Sequence, residues 1–374
     1  MPDVARGLEG VVVAPTSISK VDGEKGALIY QGIDIHDLAA HSTFEEVVYL
    51  LWNGKLPQRA ELDALTAELA SETEVPAPVL EVVARIAAGR DAMASLRTAV
   101  SMLSAFDPDA EDMSLPAGRR KAIRLTAGMA TLVAAIGRAM AGKAPIAPDP
   151  RRSIAANFLY MFTGVEPDPV TVRLFDQALV LHADHGFNAS TFAARVTTST
   201  LADMHSAIVS AIGTLKGSLH GGANMRVMQM LLQVDAAGNP ADAWIREKLA
   251  AKERIMGFGH RVYKVEDPRA VHLRKACKAL GELHGDLKWY DMSMAIEKAV
   301  HDDKGLAPNV DFYSASAYYL MGIPLELYTA IFAMSRVAGW TAHVLEQVQD
   351  NRLIRPRSEY VGQRGVKYVL LEDR

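Results

Sequence analysis

Histidine and aspartate side chains stand in three short segments that interrupt an otherwise helical pattern: KGSLHGGAN, MGFGH and LAPNVDFYSA. His220 lies in the first, directly before Gly221, Gly222 and a periodic apolar run. The positive end of a helix at this point disfavours an imidazolium, so the ring is expected to be neutral. A neutral histidine can donate a hydrogen bond to an oxyanion or enolate oxygen as it forms. The alternative is a histidine that caps a helix in a glycine-rich turn.

His260 follows Gly257, Phe258 and Gly259. Two glycines let the backbone approach a ligand closely and expose its N–H groups. The segment lacks the third glycine and the preceding strand of a dinucleotide-binding fingerprint. Cations follow His260 within ten residues, namely Arg261, Lys264 and Arg269. They favour an anionic ligand over the alternative of a plain turn between helices.

Asp311 and Arg336 are ionisable residues in apolar surroundings. A helix is expected to begin at Phe312, so Asp311 is either its N-cap or a carboxylate base at a domain junction. Arg336 stands in the middle of the apolar run 323–345, with no acidic residue within four positions. A buried arginine is costly unless a carboxylate satisfies its guanidinium. Its partner must therefore come from elsewhere in the fold or from a ligand.

His182 and His185 lie three residues apart at the end of an apolar helix. H-x-x-H without a third ligand is a weak zinc signal, so we expect no metal. A core histidine or a hydrogen-bond donor to substrate is favoured. Arg355, near the C-terminus, is either a further substrate-binding guanidinium or a surface residue, and Cys277 is expected to pack in a helix. Together these histidines, arginines and one carboxylate suit a small polycarboxylate substrate.

The composition excludes several classes of protein. The 374 residues, 49% of them hydrophobic, can form two domains or one large domain with an insertion. The net charge of −4 argues against nucleic acid as a partner. The single cysteine excludes an intramolecular disulfide. The N-terminus lacks a signal-peptide pattern, and the apolar stretch 125–137 is too short to cross a bilayer. We therefore expect a cytoplasmic protein without a membrane partner.

Helices must position most of these residues. The segment 11–32 predicts a short β-hairpin, and strand signals almost vanish beyond it. Thr43 with Glu46 forms a capping box, Gly54 ends that helix, and Asp168 with Pro169 begins another. Further helices are expected over 200–214, 222–233, 240–251, 268–284, 290–302, 312–321 and 324–348. The fold class is therefore all-α.

The segment GFGHRVYKVEDPRA, residues 257–270, resembles the signature segment of the citrate synthases. Six further segments resemble family blocks in the family's order: GLEGVVVAPTSISKVDGEKGALIYQGIDIHDLA, LHADHGFNAS, GSLHGGAN, NVDFYSA, FAMSRVAGWTAH and RLIRPRSEYVG. The resemblance implies a large helical domain, residues 1–221 and 323–374, and a small one, 222–322, that closes over the substrates. The family condenses oxaloacetate with acetyl-CoA and hydrolyses citryl-CoA, without a metal or a permanently bound cofactor.

The resemblance also implies a role for each site residue. Asp311 would remove a methyl proton, His220 would donate to the thioester oxygen, and His260 would polarise the oxaloacetate ketone. The residues that would hold oxaloacetate are His185, Arg269, Arg336 and Arg355, the last supplied across a homodimer interface. Those that would contact CoA are Ile255, Met256, Gly257, Phe258, Gly259 and Lys264. The chain lacks the longer N-terminal extension of the NADH-regulated class, so a dimer without that control is expected.

Three alternatives remain at this stage. A 2-methylcitrate synthase shares these residues and takes propionyl-CoA, and one methylene changes discrimination by only about 1–3 kcal/mol. A CoA-ester lyase would run the cleavage in reverse with similar residues. A non-catalytic helical scaffold would be expected to have lost His220, His260 or Asp311, and all three are present.

Overall fold

The computed structural model describes residues 5–89 and 91–374, and most of their regular structure is helical. The α-helices in these residues are α1 Ile35–His41, α2 Phe44–Asn53, α3 Arg59–Ser71, α4 Ala77–Ile86, α5 Ala92–Leu103, α6 Leu115–Met140, α7 Ile154–Thr163, α8 Pro169–His182, α9 Ala189–Ser199, α10 Met204–Leu215, α11 Ala223–Ala237, α12 Ala241–Ala250, α13 Pro268–His284, α14 Lys288–Lys304, α15 Val310–Leu320 and α16 Tyr328–Gln349. The predicted all-α class is confirmed.

A small antiparallel sheet precedes the helices, with strands β1 Ser19–Asp22, β2 Ala27–Tyr30 and β3 Ile33–Asp34. The predicted hairpin is confirmed, within narrower bounds than 11–32 and with a third short strand. Its turn touches the loop after His260. A Cβ at Gly23 would lie 2.1 Å from the carbonyl oxygen of Val262, and the Gly23 carbonyl accepts the Lys264 N–H at 2.9 Å. The hairpin therefore supports that loop.

Helix ends follow the capping signals of the sequence. Thr43 accepts the Glu46 N–H, the Glu46 carboxylate accepts the Thr43 N–H, and α2 ends at Gly54 in the left-handed conformation. Asp168 caps α8 through two backbone N–H groups, as the Asp-Pro pair predicts. Each of these caps satisfies N–H groups that have no partner inside the helix.

Helices α1 and α9 were not predicted. Helix α1 has seven residues, too few to show a clear apolar period. Helix α9 is capped by Asn188 but contains several β-branched residues of low helix propensity, namely Thr191, Val196, Thr197 and Thr198. It packs against α10 and α16, so tertiary contacts stabilise it where local propensity does not.

Helix α6 is the one helix in the described residues that is long and apolar enough to span a membrane. Its 26 residues extend beyond the apolar stretch 125–137 on both sides. Arg124 lies within it and bonds Asp107 and Asp109 over 2.6 and 2.7 Å. Within its apolar window, 83% is buried inside the protein. The helix therefore belongs to the core of the protein.

Two groups of helices meet at the histidine, arginine and aspartate residues that the sequence analysis singled out. Helix α16 packs against α6, α9 and α10, whereas α13 packs on α15, α12 on α14 and α11 on α15. His36 of α1 and His272 of α13 join the two groups, because their ring nitrogens lie 2.8 Å apart. His185 and Arg336 belong to the first group, and His260 and Asp311 to the second.

Candidate active site

Asp311 lies in the first turn of α15 and does not cap it. The N-cap is Asn309, whose side-chain oxygen accepts the Asp311 N–H at 3.0 Å. The N-cap interpretation of Asp311 is therefore wrong, because the helix begins at Val310 and not at Phe312. Its Oδ1 atom is shielded from solvent and bonds no described residue. Desolvation outweighs the nearby Arg269 guanidinium and raises the pKa of Asp311 to about 7.

A backbone tether, residues 257–259 bonded to residues 307–309, joins the His260 segment to the start of α15. The Gly259 N–H donates to Ala307 at 3.0 Å, the Asn309 N–H to Gly257 at 2.9 Å, and the Asn309 amide to the Gly259 carbonyl at 2.9 Å. Gly257 has a φ of 85°, and a Cβ there would lie 2.9 Å from Phe312. The glycines thus permit this pairing, and the Gly259 N–H is used inside the protein rather than exposed to a ligand.

His260 is oriented by the loop that follows it. Its Nδ1 atom accepts the backbone N–H groups of Val262 and Tyr263, at 3.0 and 3.1 Å. Because a backbone N–H only donates, Nδ1 carries no proton, and the ring proton lies on Nε2. Burial, followed by the Arg269 guanidinium, lowers the pKa of His260 to about 4. At neutral pH the ring is therefore an uncharged donor through Nε2.

His220 lies in the loop before α11. Its Nε2 atom lies 2.9 Å from the Ser190 hydroxyl and 3.4 Å from the Ser190 N–H. The same Ser190 N–H and hydroxyl also donate to the Asn188 side-chain oxygen, at 3.1 and 2.7 Å. The Trp340 indole N–H holds the Ser190 hydroxyl at 3.1 Å. Burial and then Arg336 lower the pKa of His220 to about 4. The ring is neutral, as expected, although burial rather than the helix end is the main cause.

His185 faces His260. Their ring centroids lie 5.3 Å apart, and His185 Nε2 lies 3.1 Å from the Tyr263 hydroxyl. Burial, together with the guanidinium groups of Arg269 and Arg336, lowers the pKa of His185 well below its usual value. Three uncharged histidines therefore surround one space.

His182 and Cys277 have packing roles. The His182 Nδ1–H donates to the Ala178 carbonyl at 2.7 Å, and burial lowers the pKa of this ring to about 3. Over residues 5–89 and 91–374, no group of three His, Cys, Asp or Glu side chains is placed to hold a metal ion. Cys277 is buried, and burial raises the pKa of its thiol to about 12.

Arg336 is buried, and no carboxylate of residues 5–89 or 91–374 bonds it. Its Nε donates to the His182 carbonyl at 2.6 Å, and its guanidinium lies 4.6 Å from the centroid of the Phe332 ring. Its Nη2 atom is buried and bonds nothing in the described part of the chain. Burial lowers the pKa of Arg336 to about 10, which leaves it charged at neutral pH. The geometry leaves a charged donor free for an anionic ligand.

Arg269 is also buried, but Asp267 engages it. The Asp267 carboxylate accepts Arg269 Nε and Nη2 over 2.9 and 2.7 Å. The same carboxylate accepts the Val310 N–H at 3.1 Å. Asp267 therefore fixes Arg269 and the start of the Asp311 helix together.

The remaining predicted residues lie outside this cluster. Arg355 is exposed in the irregular tail after α16. Arg261 and Lys264 are exposed, and Arg261 reaches Glu9 at 3.8 Å. Of the three cations that follow His260, only Arg269 turns inward. The rest of the expected CoA segment, Ile255 to Gly259, is at least half-buried.

The site combines three functions. Arg269 and Arg336 provide buried positive charge for carboxylates. The neutral histidines present N–H donors to oxygen atoms that gain charge. Asp311, with a pKa near neutrality, can accept a proton. This set of groups suits a carbanion reaction on a polycarboxylate.

The comparison with known proteins agrees with this chemistry. The family model "Citrate synthase, C-terminal domain" matches residues 7–357. A citrate synthase of Haloferax volcanii is 53% identical over all of this chain and 99% of its own. A 2-methylcitrate synthase of Mycobacterium tuberculosis is 45% identical over 96% of this chain and 91% of its own. The ternary complex of carboxymethyl coenzyme A and oxaloacetate with the citrate synthase of Thermoplasma acidophilum has a TM-score of 0.93 at 33% identity, with both chains covered completely.

Proposed function

Because the chain belongs to the citrate synthase family, we propose that it condenses acetyl-CoA with oxaloacetate and hydrolyses citryl-CoA to citrate and CoA. One observation carries this proposal: the free Oδ1 of Asp311 and the free Nη2 of Arg336 are both buried in the same site. A buried acceptor and a buried donor without partners both destabilise the protein unless substrates bond them. The reaction would supply citrate to the tricarboxylic acid cycle.

The first step forms the nucleophile. The Asp311 carboxylate takes a proton from the methyl group of acetyl-CoA, and the C–H electron pair moves into the thioester. His220 donates to the thioester oxygen, where the charge develops. A neutral donor suits this role, because it stabilises the enolate without an ionised group to desolvate.

The second step forms the carbon–carbon bond. His260 donates from Nε2 to the ketone oxygen of oxaloacetate, which makes the carbonyl carbon electrophilic. Arg269, Arg336 and His185 hold the substrate's carboxylates. The enolate carbon attacks, and the ketone oxygen takes up one proton, which balances the one that Asp311 removed from the methyl group. Water then cleaves the citryl thioester and releases CoA as a thiol.

A homodimer would complete the site. The tail that carries Arg355 exposes large apolar side chains, among them Leu353, Tyr360, Val361, Val366 and Tyr368. Contiguous exposed apolar residues are typical of an interaction surface. We propose that this tail lies on a second copy of the chain and delivers Arg355 to its oxaloacetate site.

Subunit mixing tests this arrangement. Asp311→Asn and Arg355→Ala chains, each inactive alone, are unfolded together and refolded at equal ratio. If Arg355 acts across the interface, each mixed dimer keeps one intact site, and about one quarter of wild-type activity returns. If Arg355 acts within its own chain, no site is intact and activity stays absent.

The domain boundaries, the CoA segment and the location are also proposals. Residues 222–322 would form the small domain, which is supported by the mutual packing of α11 to α15. The segment from Ile255 to Gly259 would lie along CoA, with Lys264 near its phosphates. The single cysteine, which is buried, is compatible with a cytoplasmic location.

Thiol release from purified protein with oxaloacetate tests the function. We expect a higher kcat/KM with acetyl-CoA than with propionyl-CoA. The relative from Mycobacterium tuberculosis makes 2-methylcitrate synthase the second candidate, and a propionyl preference would establish it. Absence of thiol release with both substrates would refute the catalytic proposal.

A further inference from the structure

We propose that Tyr263 is a positioning residue that fixes the hydrogen-bonding roles of two site histidines, His185 and His260, so that both present N–H donors to oxaloacetate. The inference rests on the function proposed above and assigns a role that neither the sequence motifs nor the charge pattern indicated.

Tyr263 contacts both histidines through different groups. Its backbone N–H donates to His260 Nδ1 at 3.1 Å, and its hydroxyl lies 3.1 Å from His185 Nε2. Its ring centroid lies 4.7 Å from that of His260 and 5.5 Å from that of His185. The residue is only 3% exposed. One buried side chain therefore contacts both imidazole rings.

The proton positions follow from the available partners. The Tyr263 hydroxyl bonds only His185 among the described residues. If His185 Nε2 donated to it, the hydroxyl proton would have no acceptor among the described residues. If the hydroxyl donates instead, Nε2 accepts and the bond is satisfied. Burial raises the pKa of Tyr263, which keeps the hydroxyl protonated. The His185 proton is thereby placed on Nδ1.

This placement gives His185 the same property as His260. In each of these two rings, one nitrogen accepts a bond from the protein and the other keeps the proton. No described residue bonds His185 Nδ1, so this N–H is free for a substrate oxygen. The opposite tautomer would present a lone pair to a carboxylate and repel it. Tyr263 thus increases affinity for the anionic substrate.

The loop that carries Tyr263 is fixed from the other side. The neighbouring Lys264 N–H donates to Gly23 in the β1–β2 turn at 2.9 Å. Val262 packs so closely on Gly23 that no side chain fits there. The hydroxyl is therefore held at a fixed position before the substrate arrives, which lowers the ordering cost of binding.

Tyr263→Phe tests the proposal, because it removes the hydroxyl and keeps the ring. We expect KM for oxaloacetate to rise about 3- to 10-fold, the typical effect of one lost hydrogen bond. The KM for acetyl-CoA should stay unchanged, and kcat should change by no more than about twofold, since the His260 bond from the Tyr263 backbone remains. Tyr328→Phe is the matched control, because its buried hydroxyl bonds the Ala315 carbonyl at 3.1 Å. That variant should lose stability and keep its KM.

A measurement on the ligand-free protein separates this inference from the proposed function. ¹⁵N NMR of histidine-labelled protein, with His185 assigned through His185→Gln, should show the proton on Nδ1 in wild type and a mixture of tautomers in Tyr263→Phe. A wild-type proton on Nε2 would overturn the inference even if the enzyme is active. An unchanged oxaloacetate KM in Tyr263→Phe would overturn it too. Inactivity of the wild type would refute the function and leave the tautomer assignment standing.

Discussion

Arg336 donates its Nε–H to the backbone carbonyl of His182 over 2.6 Å, and this bond fixes the direction of a guanidinium whose Nη2 atom has no partner in the described structure. A buried charged donor without a partner destabilises the free protein. A carboxylate at Nη2 removes that cost. The side chain therefore contributes to ligand affinity at the expense of stability.

Replacing Arg336 by Leu should separate these two effects. We expect oxaloacetate affinity, measured by calorimetry, to fall about 30-fold or more, because the substrate carboxylate loses its buried partner. The melting temperature should stay the same or rise. Arg173→Leu is the control, since Arg173 bonds the carbonyls of Ala39, Ala40 and Ser42. It should lower stability and keep affinity. Unchanged affinity in Arg336→Leu would show that this arginine is only structural.

Replacing Asp311 by Asn should remove the base and leave the oxaloacetate site. We expect kcat to fall about 100- to 10,000-fold, the usual contribution of a positioned base. Oxaloacetate binding, measured by calorimetry, should persist. Asp291→Asn is the matched control, because Asp291 also lies in the first turn of a helix but is exposed. Turnover near the wild-type rate in Asp311→Asn would eliminate Asp311 as the base.

The pH dependence of turnover should report on Asp311. The base acts only when deprotonated, so kcat/KM should rise with pH through about 7, where desolvation places this pKa. His220 and His260, with pKa values of about 4, should add no step above pH 5.5. Initial rates at fixed ionic strength give the profile. A flat profile between pH 5.5 and 8 would contradict the raised pKa.

A buried carboxyl pair far from the chemistry should make stability depend on pH. Asp176 and Glu45 are buried and accept the N–H groups of Phe44 and Ile154 at helix starts. Burial, and then the charge of Glu45, raises the pKa of Asp176. The native state therefore holds a proton that the unfolded chain releases near pH 4. By linkage, this group's contribution to stability falls as pH rises from about 4 towards neutral.

Asp176→Asn should remove this dependence. The amide oxygen can still accept the Phe44 N–H, while the ionisable group and its repulsion with Glu45 are lost. The melting temperature of the variant minus that of wild type should therefore be larger at pH 8 than at pH 5. Thermal scans at both pH values measure it. Equal differences at pH 5 and 8 would show that Asp176 titrates normally.

Local signals in the sequence were sufficient for much of the fold. Thr43 with Glu46, and Asp168 with Pro169, use side chains within a few residues of the helix start, so their caps were predictable. The N-cap alternative for Asp311 was wrong because Asn309, two residues earlier, takes the capping role. Helix α9 was missed because its stability comes from α10 and α16 rather than from its own residues.

The site was predictable where a residue conflicts with its surroundings. The sequence alone shows that Arg336 is a charged residue in an apolar helix, and such a charge needs a partner. No residue type stands out against its sequence neighbours at Ser190, Tyr263 and Asp267. The roles of these three residues depend on contacts that only the folded chain creates. Tyr263 lies three residues after His260, but no pattern in the sequence shows that its hydroxyl reaches His185, which is 78 residues away in the chain.

The backbone tether between residues 257–259 and 307–309 makes His260 and Asp311 parts of one rigid frame. Asp267 binds Arg269 to the same frame through Val310. Any movement of the site would therefore keep the mutual spacing of these three groups and change only their distances to groups outside the frame, such as Arg336 and His220. The approach of the two reacting carbons would then depend on this covalent and backbone geometry. A change of acyl substrate would then arise from the side chains that line the frame, because altering its spacing would misalign the electrophile and the base at the same time.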